Sequence, residues 1–572
     1  MPRHFFRKFK KFAGRKRYDD INPEDIFLDS TNLPGFDEYS LEGRIEKPIG
    51  EQTFLFVKVF VLLLVLGLAV RLWALEIHRG QLYAQISENN RLDHVLIFAN
   101  RGVVYDRNML ELATNAVKSG ENDFASRLYA NIEGISHVVG YLKYPSKDAQ
   151  GNYYDVEYHG RDGVERVYDE QLSGHNGIKL TETDVLGKVT SESVIDPPRD
   201  GLPLILSIDA KVTEVMYQSI ASLAESNGFV GGAGVIVDVE TGEVLALTSY
   251  PSYDSNLLTS GGDNSAINRL LNNPAKPFLN RAIGGLYAPG SIVKPIIALG
   301  ALNEGIISPN KEIYSSGAIS VPNPYDPSKP TVFKDWKAHG WTAMKEAIAV
   351  SSDTYFYAIG GGYEDQKGLG INNIDKYLRL FGIEDKTGIS LLGEISGVIP
   401  TPEWKRKTFD GDIWRLGDTY ITSIGQYGTQ MTPLEAVRFT SAIANKGKLL
   451  KLSILSRDHL DGGEDPVIRI IDLVSGSWDI VQDGMREAVT YGSAGALNFP
   501  YVEVAAKTGT AEVGSAKKYV NSWIIGFWPI EKPRYAFAVV MERGPSSNNV
   551  GAAYTMSKVI DWMHIYSPEY LK

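Results

Sequence analysis

The chain has 572 residues, with 58 Lys and Arg against 69 Asp and Glu for a formal net charge of −11, and it contains no cysteine. That balance argues against a nucleic-acid binder. Hydrophobic residues at 43% and charged residues at 22% exclude a chain disordered throughout and suit a globular protein of about three or four domains.

The missing cysteine removes disulfide frameworks, thiolate zinc sites and cysteine nucleophiles together, and it suits an exported protein. The first twenty residues hold Arg3, Arg7, Lys8, Lys10, Lys11, Arg15, Lys16 and Arg17 against only Asp19 and Asp20. Residues 1–52 therefore read as a basic tail continued by a polar stretch. Residues 53–75 form an apolar run long enough to cross a hydrocarbon core. Lys58 and Arg71 lie toward its ends, where long side chains snorkel, and Trp73 fits an interfacial belt. A removable signal peptide would place a short apolar core near residue 10 and a small-residue cleavage site after it, and neither is there. The expectation is a single uncleaved transmembrane helix. The positive-inside rule puts the tail in the cytoplasm and everything after about residue 76 outside.

Residues 76–202 mix short β-rich stretches (DHVLIFANRGVVYDR, HVVGYLKY, GNYYDVEYHG) with polar turns and show no catalytic spacing. They read as a β-rich pedestal. From residue 203 the texture becomes α+β: LILSIDAKVTEVMYQSIASLAES has helical periodicity, and GGAGVIVDVETGEVLALTSY reads as two strands joined at Glu240, Thr241 and Gly242. The last domain is expected to span 203–572.

Three short patterns in that domain carry chemistry. Ser291 and Lys294 lie at the mouth of an apolar helical run, one turn apart, where a lysine can reach and activate a serine nucleophile. Ser308 with Lys311 and Ser515 with Lys518 repeat the spacing, but in polar turn sequence with no apolar helix behind them. Ser351, Ser352 and Asp353 close an amphipathic stretch, and offer a second hydroxyl and a polar orienter. S-x-D recurs at Ser207 with Asp209 and at Ser477 with Asp479, where a turn or cap is the ordinary reading. Lys507, Thr508, Gly509 and Thr510 follow the strand-like run VEVAA and offer a fixed cation beside hydroxyls.

In this order S-x-x-K, S-x-D and K-T-G resemble the site of the penicillin-binding transpeptidases. The segments RGVVYDRNMLELA (101–113) and GVERVYDEQLSGHNG (163–177) resemble the pedestal motifs of the class B, monofunctional members, and KTGISLLGEISGVIP, SIGQYGTQMTPLEA and NSWIIGFWP match further family blocks. FKDWKAHGW (333–341) and Asp353 resemble the elongation-type members, whereas the division-specific paralogue usually has asparagine at that place. The chain departs from the family pattern at Tyr427, where glycine usually follows S-I-G-Q, and at Asn521, where histidine is common.

The resemblance implies a single transmembrane helix, a pedestal, and a serine-transpeptidase domain with a central antiparallel sheet flanked by helices. It implies that Ser291 attacks the penultimate D-Ala carbonyl of a stem peptide ending in D-Ala-D-Ala, with Lys294 as the favoured base. Ser351 and Asp353 would complete the proton network, Lys507 and Thr508 would hold the substrate carboxylate, and Gly509 would let the substrate approach. The N–H groups of Ser291 and Thr510 would form the oxyanion hole. β-Lactams would acylate the same serine.

The rival readings are a D,D-carboxypeptidase or β-lactamase, a β-lactam sensor, a silent scaffold and the division paralogue. No cofactor is expected. Some relatives hold zinc near the second motif through a cysteine; here Asp335 and His339 remain without one, so no metal is expected and His339 is assigned ordinary polar contacts. With no glycosyltransferase region between anchor and pedestal, the implied partners are a SEDS-type, RodA-like glycosyltransferase, other elongation-complex proteins and the membrane. Lys386, Thr387 and Gly388 form a second K-T-G after the polar turn GIED, and the Lys386 side chain is expected in solvent.

Overall fold

The computed structural model describes residues 50–81, 83, 92–116, 123–183, 188–323, 326, 328–457, 465–514 and 516–572. The basic residues of the expected tail and Ser515 lie outside the described residues.

Helix α1 (Glu51–Trp73) begins two residues before the expected span and runs into a single π-helical turn, Ala74–His78. Its 23 residues cover about 34 Å at 1.5 Å rise, enough for a hydrocarbon core of about 30 Å. It is apolar all round and buries no side chain, the composition of a helix whose solvent is lipid. Glu51 in its first turn and Arg71 in its last complement the helix dipole.

Leu92–Lys572 is a separate unit. Its first part is β-rich, as expected. Strand β1 (Leu92–Ile97) joins two longer strands described below, while β2 (Val104–Tyr105), β3 (Glu111–Asn115) and β4 (Arg127–Tyr129) form an antiparallel ribbon. Strands β5 (Gly177–Thr183) and β6 (Val189–Asp196) complete a three-stranded antiparallel sheet in the order β1-β5-β6. Strand β7 (Leu204–Ile205), just past the expected boundary at 203, pairs parallel with β2.

The two pedestal segments singled out in the sequence meet in this part of the unit. Arg101 Nε contacts Glu165 Oε2 at 2.5 Å, Arg101 Nη2 contacts Asp169 Oδ1 at 2.6 Å, and Arg127 Nε contacts Glu165 Oε1 at 2.8 Å. Arg101, Arg127 and Glu165 are buried. Burial by itself pushes the Glu165 carboxyl up, but Arg127 and Arg101 more than offset it and hold it below the usual glutamate range.

Downstream, helix α2 (Ala210–Asn227) is capped by Asp209, whose carboxylate accepts from Lys211 and Val212 N–H. Strands β8 (Gly231–Asp238) and β9 (Val244–Tyr250) form the expected hairpin, with Gly242 at φ 72 in its turn. After a 3-10 turn at Gly290–Val293 come helices α3 (Lys294–Asn303), α4 (Met344–Ala349), α5 (Asp353–Gly361), α6 (Pro433–Ala444) and α7 (Ser477–Thr490). Strands β10 (Ala505–Val513), β11 (Tyr519–Trp528) and β12 (Tyr535–Pro545) complete a five-stranded sheet in the order β9-β8-β12-β11-β10, antiparallel at every pair.

Every residue of β8 is buried, because α2 and the last long helix, α8 (Ala552–Tyr566), cover one face while α6 covers the other. The α+β class and the helix-flanked antiparallel sheet are as expected. Strand β10 is left at an edge, with one side of its backbone free to receive a ligand.

Glu165→Gln removes the one carboxylate shared by two buried guanidinium groups. It should cost about 3–5 kcal/mol, because the uncompensated charges stay buried. Thermal unfolding of the purified protein measures this, and a melting temperature equal to wild type contradicts it.

Candidate active site

Ser291 sits in the 3-10 turn that leads into α3, and the α-helix itself starts three residues later than the sequence suggested, at Lys294. The Ser291 hydroxyl has no hydrogen-bond partner among the described residues. Lys294 is buried and points elsewhere. Its Nζ donates to Asp353 Oδ1 at 2.6 Å, to the Ser351 carbonyl at 2.9 Å and to Ser351 Oγ at 3.3 Å. The sequence expectation had Lys294 reaching the Ser291 hydroxyl; an ionised carboxylate is the stronger acceptor and draws the ammonium away.

Ser351 lies in the break between α4 and α5, at φ 59, and a non-glycine residue held there costs on the order of 1–3 kcal/mol. That conformation turns both its carbonyl and its hydroxyl toward Lys294. Lys507, on β10, approaches the same hydroxyl: its Nζ donates to Ser351 Oγ at 2.8 Å and to the Thr508 carbonyl at 2.9 Å. Ser351 Oγ thus bridges two buried lysines. Burial and the Lys294 charge push the Lys507 ammonium well below the usual lysine range, against a smaller opposing pull from Asp353.

The remaining polar groups fix this arrangement. Buried Asp335 accepts from Ser352 Oγ at 3.0 Å, from Thr354 N–H at 2.9 Å and from Ser315 Oγ at 3.3 Å, which pins the start of α5. Burial pushes its carboxyl up, but the N–H groups of Thr354 and Asp353 bring it below the usual aspartate range. His339 Nε2 lies 3.4 Å from Asp335 Oδ1, and the Trp336 N–H donates to that oxygen at 2.8 Å. No third candidate metal ligand joins the pair among the described residues. Both carboxylate oxygens are already engaged, so the donor set does not fit a structural zinc, which takes four ligands.

Strand β10 approaches the Ser291 turn because side chains are missing where the two meet. A Cβ on Gly509 would lie 2.6 Å from the Pro289 carbonyl and 2.8 Å from Ile292 Cγ2. A Cβ on Gly290, which has φ 58, would lie 2.8 Å from the Thr510 carbonyl. The sequence reading gave Gly509 to substrate approach; it lines the cleft, and its missing side chain also admits the Ser291 turn. Gly290 N–H also donates to the Gly425 carbonyl at 2.8 Å, which holds the turn from its other side.

These residues line a cavity of about 580 Å³, whose walls include Ser291, Ser351, Asp353, Thr508, Thr510 and Trp336. Lys294 and Lys507 stand behind the wall, fully buried. The hydroxyls of Thr508 and Ser493 face the cleft, joined at 2.7 Å. Ser493 and Trp336 were not among the residues read as functional. The only trace of Ser493 in sequence is the small-residue run Gly492–Gly495 after α7, and nothing local marks it as a partner of Thr508.

The second K-T-G is remote from this cluster. The Lys386 side chain is exposed, its carbonyl accepts from Arg438, and Thr387 is tied to Glu394 through N–H and Oγ1 at 2.7 and 2.6 Å. The segment is a loop clamp.

Two family models match the chain. One describes the penicillin-binding protein transpeptidase domain, over residues 232–560, and the other the penicillin-binding protein dimerisation domain, over residues 122–206. Among curated relatives, a peptidoglycan D,D-transpeptidase MrdA of Acinetobacter baumannii is 31% identical over 465 residues, covering 76% of this chain and 65% of the relative. The MrdA of Escherichia coli K12 is 28% identical over 604 residues, covering 88% and 92%. Among solved structures, Pseudomonas aeruginosa PBP2 in complex with WCK 5153 superposes with a TM-score of 0.69 at 31% identity, over 84% of this chain and 98% of the other. The Helicobacter pylori PBP2 complex with MreC gives 0.67 at 27%, over 83% and 100%.

The geometry separates the two K-T-G lysines. Lys507→Ala should cut the second-order rate of penicillin acylation by orders of magnitude in a folded protein. Lys386→Ala should stay within about 0.5 kcal/mol of wild type, the scale of an exposed substitution. Acylation rates with matched unfolding curves decide this, and the reverse ranking would refute the assignment.

Proposed function

Because the chain belongs to the penicillin-binding transpeptidase family, we propose that it is a peptidoglycan D,D-transpeptidase of the elongation type that works through a serine acyl-enzyme. The observation that carries this reading is the unpartnered Ser291 hydroxyl at the mouth of α3, between the buried Lys294–Ser351–Lys507 cluster and the free edge of β10.

A stem peptide ending in D-Ala-D-Ala lies along that edge as an added strand. Its terminal carboxylate meets the Thr508 and Ser493 hydroxyls, with Lys507 behind them. Ser291 Oγ attacks the penultimate carbonyl, and its proton passes to the lysine–serine cluster. Lys294 is the favoured base; it first passes its own proton through Ser351 to the Lys507 amine, whose neutral form burial favours, since Ser351 Oγ lies within hydrogen-bond reach of both Nζ atoms. The oxyanion is held by the N–H groups of Ser291 and Thr510, each worth roughly 3 kcal/mol in acyl-transfer enzymes. D-Alanine leaves with the returned proton. An amine of a neighbouring stem peptide then takes the acyl group and forms the cross-link. No step uses a cofactor.

The elongation role is supported by Asp353 in the second motif and by the MrdA relatives. A SEDS-type, RodA-like glycosyltransferase and elongation-complex proteins are the proposed partners; the related H. pylori protein is solved with MreC. Helix α1 anchors the chain in the cytoplasmic (inner) membrane as a single pass, with the N-terminus in the cytoplasm and the catalytic domain in the extracytoplasmic or periplasmic space.

Incubation with a β-lactam should give one covalent adduct per chain, mapped by mass spectrometry to Ser291 and lost in Ser291→Ala. An adduct on Ser308, or one retained in the variant, would overturn the nucleophile. Protease added to right-side-out spheroplasts should digest the catalytic domain and spare the tail; protection of that domain would contradict the orientation.

A further inference from the structure

Beside the Ser291 turn stands a rigid aromatic ledge that the reaction described above does not use. Tyr427 follows Gly425, whose carbonyl holds Gly290, by two residues, at most about 7 Å of chain. Between them Gln426 reaches the Thr510 carbonyl on the β10 edge at 3.5 Å. Tyr427 has φ 71, a conformation that favours glycine, yet it carries an aromatic side chain. Its ring packs against Trp404 at 5.7 Å, Trp414 at 5.8 Å and Phe409 at 6.2 Å, the last nearly parallel.

The ledge is locked from behind. Trp414 Nε1 donates to Thr419 Oγ1 at 2.8 Å, and Lys405, buried at 5.8 Å from the Tyr427 ring, pairs with Asp418 at 2.6 Å and Asp412 at 3.1 Å. Arg415 pairs with Asp412 at 2.8 Å. In front, Tyr427 is 37% exposed, Phe409 50% and Ile413 63%. The charges of Lys405, Arg415, Asp412 and Asp418 are thus neutralised among themselves, and Tyr427, Phe409 and Ile413 present an aromatic and apolar surface. Such a surface does not select a carboxylate or an amine; it fits a neutral ring with one apolar C–H face.

We propose that this ledge is a saccharide subsite that seats the N-acetylated pyranose carrying the donor stem peptide. The proposal rests on the transpeptidase reading. Four residues separate the acylated carbonyl from that sugar, at most about 14 Å of extended chain. A donor whose carboxylate lies at Thr508 and whose carbonyl lies at Ser291 and Thr510 leaves the β10 edge past Gln426, toward Tyr427. The acceptor strand is the other source of the same sugar, and the donor assignment follows from this direction of exit.

The test uses full-length protein in detergent and measures D-alanine release, which needs a donor and no acceptor amine. Two donors are compared: a disaccharide-pentapeptide and the same pentapeptide without sugar. Wild type should prefer the sugar-bearing donor in kcat/KM by about tenfold. Tyr427→Gly, which suits the left-handed backbone, and Phe409→Ser should each erase most of that preference. Both should keep the sugar-free rate and penicillin acylation within about twofold. Because no acceptor strand is present, equal rates on the two donors in wild type, or equal loss on both in the variants, would overturn the proposal. Failure of wild type to be acylated by penicillin would overturn the underlying transpeptidase reading instead.

Discussion

Two lysine side chains converge on one serine hydroxyl inside the protein, and the site is arranged around the need to keep that pair tolerable. Like charges in a low-dielectric interior repel strongly, so either a counter-charge or a lost proton must relieve them. Asp353 supplies the first for Lys294 at 2.6 Å. Among the described residues Lys507 has no carboxylate in hydrogen-bond contact, and burial together with Lys294 favours its neutral form. Ser351 Oγ, within hydrogen-bond reach of both lysines, links the two groups. Asp335 acts one layer out: by fixing Ser352 and Thr354 it fixes Asp353 between them.

The second constraint is the approach of backbone to backbone. The Ser291 turn, the edge of β10 and the Gly425 segment touch only because Gly290, Gly509 and Gly425 lack side chains. An added methyl group at any of them meets main-chain carbonyls, which have nowhere to move. The five-stranded sheet turns this local contact into a rigid frame. β10 is ladder-bonded to β11 along its full length, and Trp523 of β11 reaches across to the Ala288 carbonyl at 2.9 Å. The Ser291 turn and the β10 edge are thus held as elements that cannot shift independently.

Away from the site, the Arg101–Glu165–Arg127 cluster does comparable work for the pedestal. It joins segments 64 and 38 residues apart through one buried carboxylate. A buried ion pair of this kind contributes little net stability compared with a hydrophobic core, yet losing one member leaves charges with no solvent. Its value is in specifying a single arrangement of short strands that have little apolar surface of their own.

Much of this protein was legible in its sequence because the signals are local. Helix α1 follows from an uninterrupted apolar run, the β8–β9 hairpin from alternating strands around Gly242, and the α+β texture from the change of periodicity near residue 203. The order of Ser291 with Lys294, Ser351 with Asp353 and Lys507 with Thr508 named the family, since helix mouths and strand edges carry those residues at fixed spacing. Tertiary structure decided what spacing cannot encode. Lys294 turns from Ser291 to Asp353 because a carboxylate 59 residues away competes for it. Gly509 also serves the Ser291 turn because β10 packs on it. Ser493 meets Thr508, and Arg101 meets Glu165, across chain separations that no local pattern records. The two K-T-G sequences differ only in their surroundings: one lies on a sheet edge beside the serine, the other in a loop held by Arg438 and Glu394. Sequence sets which groups are available within a few residues of one another, whereas the distances that make them chemistry come from how buried surface brings remote segments together.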